Sequence, residues 1–244
     1  MIKISNRLIA VASLISEDCV LADVGTDHGF VPIYLMQQKR IKRAIAMDIN
    51  RGPLERAKEH IALFGMGEYI ETRLSDGVEA LHRGEADSIL IAGMGGALVI
   101  HILDKGSDVC QNAKELILQP QSELERVRTY LEENGYVTDA EEMVLEDDKF
   151  YPMMRVHYCS APQRTSADTK LQMDAELRHI YGAGLLAARH PVLHEYLFRE
   201  RQIYQNIYRN LRKQPDAENI KRRCKDIEEV LVNNKKALSY YDRA

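Results

Sequence analysis

The sequence contains no tryptophan, and it also lacks the features that mark membrane and secreted proteins. No uninterrupted apolar run approaches eighteen residues, so no transmembrane helix is predicted. Residues 1–7 (MIKISNR) show neither the apolar stretch nor the small-residue cleavage site of a signal peptide. We therefore expect a protein of the cytoplasm that does not associate with membranes.

Cysteine is scarce and scattered. The four cysteines are Cys19, Cys110, Cys159 and Cys224, and no two of them form a C-x-x-C pair. This spacing argues against a zinc site and against a disulfide framework. We expect free thiols in a reducing compartment and no bound metal.

Charge is divided unevenly along the chain. Residues 1–159 contain 17 Lys and Arg against 26 Asp and Glu, a net charge of -9, whereas residues 160–244 contain 16 against 11, a net charge of +5. A basic C-terminal part favours a polyanionic partner such as nucleic acid. A solvated helical face explains the same charge equally well.

Short strand-like runs alternate with helical patterns over the first 150 residues. The helical patterns cover 31–38, 52–64 and about 121–134, and the strand-like runs cover 19–24, 43–48, 69–74, 87–92, 115–119, 136–145 and 151–159. This alternation predicts an α/β fold, a Rossmann-like, doubly wound and mostly parallel seven-stranded sheet, closed by a hairpin of the last two runs. The polar segment 160–166 predicts a linker, and hence domains at 1–160 and 161–244.

The second predicted domain is all-α. Pro191 and Pro215 divide it into about three helices. The last helix carries an apolar heptad seam in which Asn234 is the one polar member: Ile220, Cys224, Ile227, Leu231, Asn234, Leu238 and Tyr241. A similar stripe in the preceding helix predicts an antiparallel coiled-coil hairpin. The seam alone leaves open whether it pairs within one chain or between two.

The loop after the first strand, residues 25–29 (GTDHG), carries the first chemical signal. Glycines allow a ligand to approach the backbone, and the following helix offers free N–H groups. Asp27 stands where the dinucleotide fingerprint has its second glycine, and a carboxylate there would repel a pyrophosphate. The loop therefore favours a cofactor with a cationic amino group, such as S-adenosylmethionine, over a dinucleotide. A plain strand-to-helix turn is the alternative.

Three further strand ends add to this signal. Asp48 ends the second strand, where an acidic residue can bind ribose hydroxyls. Asp76, in Ser75-Asp76-Gly77, suits an adenine amine, although helix capping explains it equally well. Residues 91–96 (IAGMGG) place three glycines at the carboxyl end of a central strand, which indicates a backbone that passes close to a ligand.

In this order, the segments resemble the bacterial tRNA (adenine-22-N1)-methyltransferase family. The residues that carry the resemblance are 22–29, Asp48, 75–77 and 91–96, together with 4–8 (ISNRL), 118–121 (LQPQ) and a basic helical tail. The resemblance covers essentially the whole chain. It implies transfer of a methyl group from S-adenosylmethionine to N1 of an adenine in tRNA.

The resemblance and the loop chemistry together assign the predicted sites. We expect the cofactor at Asp23, Gly25, Thr26, Asp27, Gly29, Asp48, Ile49, Asp76, Gly77 and Gly93. We expect the substrate base beside Met94, Gly95 and Gly96, and the RNA backbone on Arg209, Arg212, Lys213, Lys221, Arg222 and Arg223.

The chemistry of N1 suggests two catalytic candidates. N1 lies on the Watson–Crick edge, so the base must be unpaired or flipped out of its stack. Methylation makes the ring cationic, and a carboxylate would stabilise the developing charge. Asp27 is the predicted stabiliser and His28 a possible proton acceptor. Both also suit cofactor contacts or packing.

Two other classes of function remain open at this stage. One is a methyltransferase that acts on another RNA site or on a small molecule. The other is a non-catalytic RNA-binding or S-adenosylmethionine-sensing module. For the tRNA methyltransferase hypothesis, we expect tRNA as the partner and a monomer or weak homodimer as the oligomeric state.

Overall fold

The computed structural model describes residues 2–160, 174–215 and 217–242. The chain divides into two compact units, Met1–Thr165 and Ser166–Ala244. Beyond Ser160, the predicted linker lies outside the described residues, so the predicted boundary between residues 160 and 161 stays a prediction.

The first unit contains one seven-stranded sheet in the order β3-β2-β1-β4-β5-β7-β6. The first five strands are parallel to one another, and β7 runs antiparallel to both of its neighbours, β5 and β6. Their bounds are β1 Cys19–Val24, β2 Ile41–Asp48, β3 Ile70–Leu74, β4 Ser88–Met94, β5 Glu115–Pro120, β6 Tyr136–Glu146 and β7 Lys149–Tyr158. The predicted mixed, mostly parallel sheet and its closing hairpin are confirmed.

Helices and two apolar clusters flank this sheet. The helices are α1 Asn6–Leu14, α2 Phe30–Gln37, α3 Arg51–Leu63, α4 Gly96–Lys105, α5 Ser107–Cys110 and α6 Leu124–Glu133. Alternate residues of one strand pack into different clusters: Ile89 and Ile91 into the first, Leu90 into the second. Burial of both faces explains why β4 and β5 are almost continuously apolar in sequence.

The helix predicted from residue 121 begins only at Leu124. The preceding residues are used to cap another helix. Ser122 Oγ accepts the Gly96 N–H at 3.2 Å, and the Glu123 carboxylate accepts the Ala97 N–H at 3.0 Å. Glu123 has a φ of 53°, which no α-helix accommodates. The helical periodicity of the sequence carried no sign of this capping.

The described part of the second unit is helical. Its helices are α7 Ala175–Tyr181, α8 Ala183–Ala187, α9 Pro191–Leu211 and α10 Glu218–Leu238. The prediction of about three helices missed the break at Gly182, whose φ of 92° separates α7 from α8. Pro191 occupies the first turn of α9, where its missing N–H is not needed.

Helices α9 and α10 pack antiparallel within one chain. Tyr208 contacts Glu228 near one end, and Tyr241 stacks on His194 at the other. Between them, Asn234 Nδ2 donates to the Leu197 carbonyl at 2.9 Å. The seam predicted from the heptads therefore has its partner inside the chain. Regular coiled-coil geometry stays a prediction.

A half-buried carboxylate lies at the contact between these helices. Glu200 accepts hydrogen bonds from the hydroxyls of Tyr181 at 2.7 Å and Tyr196 at 3.0 Å, and from Asn234 Nδ2 at 3.0 Å. Three donors compensate for the partial removal of this carboxylate from water. The hydroxyls of both tyrosines are therefore engaged within the helical unit.

Candidate active site

The carboxyl ends of β1 to β5 meet at one edge of the sheet because these strands are parallel. The chain order reverses between β1 and β4, which are neighbours in the sheet although they are not consecutive. Ligands of doubly wound sheets bind in the crevice at such a reversal. The predicted segments at residues 25–29, 48–49, 75–77 and 93–96 all follow strands at this edge.

Gly25 opens the loop after β1 and faces the loop after β4. Its φ is +75°, and a Cβ placed on it would lie 2.2 Å from Met94 Cε. Two loops that are far apart in sequence are thus in contact at the crevice. A side chain at position 25 would both strain the backbone and displace Met94.

Asp23 lies beneath this loop and is 8% exposed. Its carboxylate accepts a hydrogen bond from Thr26 Oγ1 at 2.7 Å. Burial raises the pKa of Asp23 to about 6; the Thr26 hydrogen bond acts in the opposite direction, and the negative charge of Asp48 adds to the rise. Thr26 is buried, and its N–H bonds to the Met47 carbonyl at 2.7 Å. Its hydroxyl and N–H therefore hold the loop itself.

Asp48 is half-buried at the end of β2, and its Oδ1 accepts the Asn50 N–H at 2.7 Å. The neighbouring Ile49 is 58% exposed, an apolar surface beside a carboxylate. At the end of β3, Asp76 lies 3.4 Å from Lys105 Nζ, which also pairs with Glu79. The Asp76 carboxylate is therefore engaged with a cation on the protein surface.

The two catalytic candidates form part of a small cluster. Asp27 accepts a hydrogen bond from Arg56 Nη2 at 2.9 Å, and His28 Nε2 lies 3.4 Å from the same carboxylate oxygen. The His28 ring stacks on Phe30 at 5.0 Å and on His60 at 5.1 Å between centroids. Its Nδ1 is buried and has no hydrogen-bond partner among the described residues. No pattern in the sequence indicated that Arg56, Phe30 or His60 would lie at this position.

The segment at residues 93–96 is held by the end of β5 and by the residues that follow it. The Gln119 side-chain oxygen accepts the Gly93 N–H at 3.2 Å, and the Gln121 N–H donates to the Met94 carbonyl at 2.8 Å. A Cβ on Gly96 would lie 2.5 Å from the Ser122 carbonyl oxygen. Close packing of two loops explains this glycine without a ligand. Substrate contact at Gly95 and Gly96 stays a prediction.

The predicted RNA-contact residues all lie in the second unit. They are exposed and surround the turn between α9 and α10: Arg209, Arg212, Lys213, Lys221, Arg222 and Arg223. An open cleft of about 460 Å³ at this turn is lined by Arg212, Lys221, Lys225 and Glu228 among others. The cleft is predominantly cationic, as an RNA-phosphate contact requires.

The residues at the crevice fit S-adenosylmethionine. Burial raises the pKa of Asp23 because it disfavours the charged carboxylate, and a cationic group of the ligand nearby would stabilise that charge. The Asp48 carboxylate retains an oxygen for a ribose hydroxyl. Gly25 has no side chain, and Met94 Cε occupies the space where a Cβ would stand, so the backbone of this loop lies directly against Met94. Within the described part of the chain, no group of three potential metal ligands occurs, and no helix combines the length and apolar character of a membrane span.

Comparison with known proteins agrees with this geometry. Residues 4–154 match the family of methyltransferase domains. The chain is 34% identical over 226 residues to the tRNA (adenine(22)-N(1))-methyltransferase of Bacillus subtilis, a match that covers 93% of each protein. This chain belongs to the tRNA (adenine(22)-N(1))-methyltransferase family.

Solved structures of the same family share this fold. The Bacillus subtilis tRNA methyltransferase TrmK aligns with a TM-score of 0.85 at 31% identity, over 98% of this chain and 100% of that one. A family structure from Streptococcus pneumoniae, in complex with S-adenosyl-L-methionine, aligns with a TM-score of 0.80 at 28% identity, over 97% and 100% of the two chains. Family membership confirms the enzyme class predicted from the sequence, an S-adenosylmethionine-dependent tRNA methyltransferase.

Proposed function

We propose that this protein transfers the methyl group of S-adenosylmethionine to N1 of adenine at position 22 of tRNA. The observation that carries the proposal is the meeting of the Gly25 loop, Asp48 and Met94 at one crevice. Family membership over almost the whole chain supports both the reaction and the substrate.

The first unit supplies the cofactor side of the site. When bound, the cofactor's sulfonium supplies an electrophilic methyl group and leaves as a neutral thioether. Asp23 would stabilise the positive charge of the ligand, and Asp48 would accept hydrogen bonds from its ribose. Ile49 and Gly77 would enclose the adenine, with Asp76 at its amine. Gly25, Gly29 and Gly93 would allow the backbone to approach.

The substrate base would lie on the far side of Met94. This side chain would form a wall of the base pocket, with Gly95 and Gly96 beside it. Alignment of N1 with the methyl group supplies much of the rate in such a displacement. Asp27 would stabilise the cationic product ring, and His28 would accept a proton from the exocyclic amine of that ring, which leaves the methylated base neutral. Arg56 holds the Asp27 carboxylate in place and partly offsets its charge.

The basic turn between α9 and α10 would hold the tRNA backbone. Phosphate contacts orient a substrate without reading its sequence. The substrate also implies a cytoplasmic location. Because the α9–α10 seam is satisfied within the chain, we propose a monomer or weak homodimer, which sedimentation velocity with and without tRNA checks.

The decisive experiment measures methyl transfer from labelled S-adenosylmethionine to unmodified tRNA with adenine at position 22. The same tRNA with guanine at this position is the matched control. Label recovered as 1-methyladenosine from the first tRNA alone supports the proposal. Equal label on both keeps the methyltransferase but overturns the position. No label on either, from folded protein that binds the cofactor, overturns tRNA as substrate.

A further inference from the structure

The start of α1 lies at the same sheet edge as the crevice. Ser5 caps the helix, and the Asn6 N–H donates to the Glu146 carboxylate at the end of β6 at 2.8 Å. The next residue, Arg7, is half-buried, and its Cζ lies 5.4 Å from the centre of the Tyr151 ring. The cation is thus held in place by the hairpin of β6 and β7.

One buried amide connects Arg7 to the loop after β4. Gln119 is 0% exposed at the end of β5, and its Oε1 accepts hydrogen bonds from Arg7 Nη1 at 2.9 Å and from the Gly93 N–H at 3.2 Å. Arg7 Nη1 lies 3.8 Å from where a Cβ on Gly93 would stand. The guanidinium therefore borders the residue that precedes Met94, on the β5 side of the crevice.

Several other arginines of the first unit form ion pairs with carboxylates. Arg73 pairs with Glu85, Arg128 with Glu141 and Arg40 with Glu17. Among the described residues, no carboxylate forms an ion pair with Arg7. Its protein partners are a neutral amide oxygen and an aromatic ring, which leave its charge uncompensated and several of its N–H groups for an anion.

We propose that Arg7 binds a backbone phosphate of the tRNA at the target nucleotide, and that Gln119 is its positioning residue. A planar guanidinium with one N–H fixed presents the others in a geometry that matches phosphate oxygens. A nucleotide displaced from its stack needs its phosphate held so that N1 meets the methyl group. The inference rests on the proposed function, since it takes RNA as the substrate.

Two substitutions separate binding from a purely structural role. Arg7→Gln removes the charge. Gln119→Glu keeps the shape and the tie to Arg7, but places a carboxylate against the guanidinium that competes with phosphate. Arg43→Gln is the matched control, because Arg43 is exposed near the start of β2, at the opposite edge of the sheet.

We would measure tRNA affinity over a range of salt concentrations, steady-state kcat and KM, and S-adenosylmethionine affinity. Arg7→Gln and Gln119→Glu should each weaken tRNA binding about ten-fold, the size expected for one charged hydrogen-bonding contact. Each should lower the salt slope by about one phosphate contact. Cofactor affinity should stay unchanged, and Arg43→Gln should match the wild type.

The structural alternative predicts a different pattern. If Arg7 only ties α1 to the sheet, Gln119→Glu should strengthen that tie and leave tRNA affinity and its salt slope unchanged. That result would overturn the inference. A second outcome is that the wild type methylates tRNA and the Arg7→Gln variant binds tRNA as tightly as the wild type. This outcome overturns the inference and leaves the proposed function intact. A folded wild type that neither binds nor methylates tRNA overturns both.

Discussion

Gly25 and Met94 lie against each other at the crevice, so closely that a Cβ on Gly25 would be 2.2 Å from Met94 Cε. Gly25 follows β1, and Met94 is the last residue of the neighbouring strand β4. The loop proposed to hold the cofactor and the residue proposed to bound the base pocket are therefore in direct contact. A substitution in one of these two segments should therefore alter the position of the other.

The first prediction concerns this contact. Gly25→Ala should cost about 1–2 kcal/mol of stability, because a residue with a Cβ is strained at a φ of +75°. The Met94 end must also move, so we expect cofactor affinity to fall about ten-fold, a change of about 1.4 kcal/mol. Calorimetric titration of S-adenosylmethionine and thermal unfolding check both.

A double variant tests the cause. Gly25→Ala with Met94→Ala removes the side-chain clash and leaves the backbone strain. Cofactor affinity should recover in part, whereas stability should not. Equal affinity in the single and double variants would show that the contact with Met94 is unimportant.

The second prediction follows from Asp23. The pKa of this carboxyl is about 6 in the folded protein against 3.8 for the ordinary group. The folded state holds the proton more tightly, so stability falls as pH rises between these values. The cost above pH 6 is on the order of 3 kcal/mol. Asp23→Asn should therefore be more stable than the wild type at pH 7 without cofactor.

Cofactor binding should show the opposite trend. A cationic ligand favours the ionised carboxylate, so wild-type affinity for S-adenosylmethionine should rise from pH 5 to pH 7. Asp23→Asn should bind weakly, with no such rise. If the affinity of the wild type for S-adenosylmethionine does not depend on pH, Asp23 does not interact with the cofactor.

The third prediction concerns the basic turn of the second unit. Arg222→Glu should weaken tRNA binding, reduce its salt dependence and raise KM for tRNA, with kcat at saturating tRNA unchanged. Lys235→Glu is the matched control, because Lys235 is exposed near the other end of the same helix α10. Equal losses in the two variants would indicate a general charge effect instead of a defined contact.

The fourth prediction concerns Asn234, which is 0% exposed and donates to Glu200. Asn234→Asp should place a second carboxylate beside the first and cost several kcal/mol at pH 7, since an uncompensated buried charge is expensive. Acidification should reduce this loss, because a protonated aspartate can donate to Glu200. Asn234→Ala, measured by chemical denaturation, should lose less at pH 7, and its loss should not depend on pH in this way.

Residue patterns were sufficient for most of the fold. β1 was predicted at its observed bounds, and β6 and β7 within two residues, because their apolar runs and the turn at Asp147 and Asp148 are local signals. The start of α6 was predicted three residues too early. Ser122 and Glu123 leave the helical pattern to cap α4, and that partner lies 26 positions away in the chain.

The sequence by itself determined the class of the site. Asp27 in a glycine loop and Asp48 at a strand end predicted a cationic nucleoside cofactor through charge and hydrogen bonding, which are properties of residue type. The tertiary structure alone decided which residues meet. Arg7, Gln119 and Gly93 are joined across 112 and 26 positions. Parallel strands bring such distant segments to one edge, and no local pattern in a single sequence records which distant segments they are.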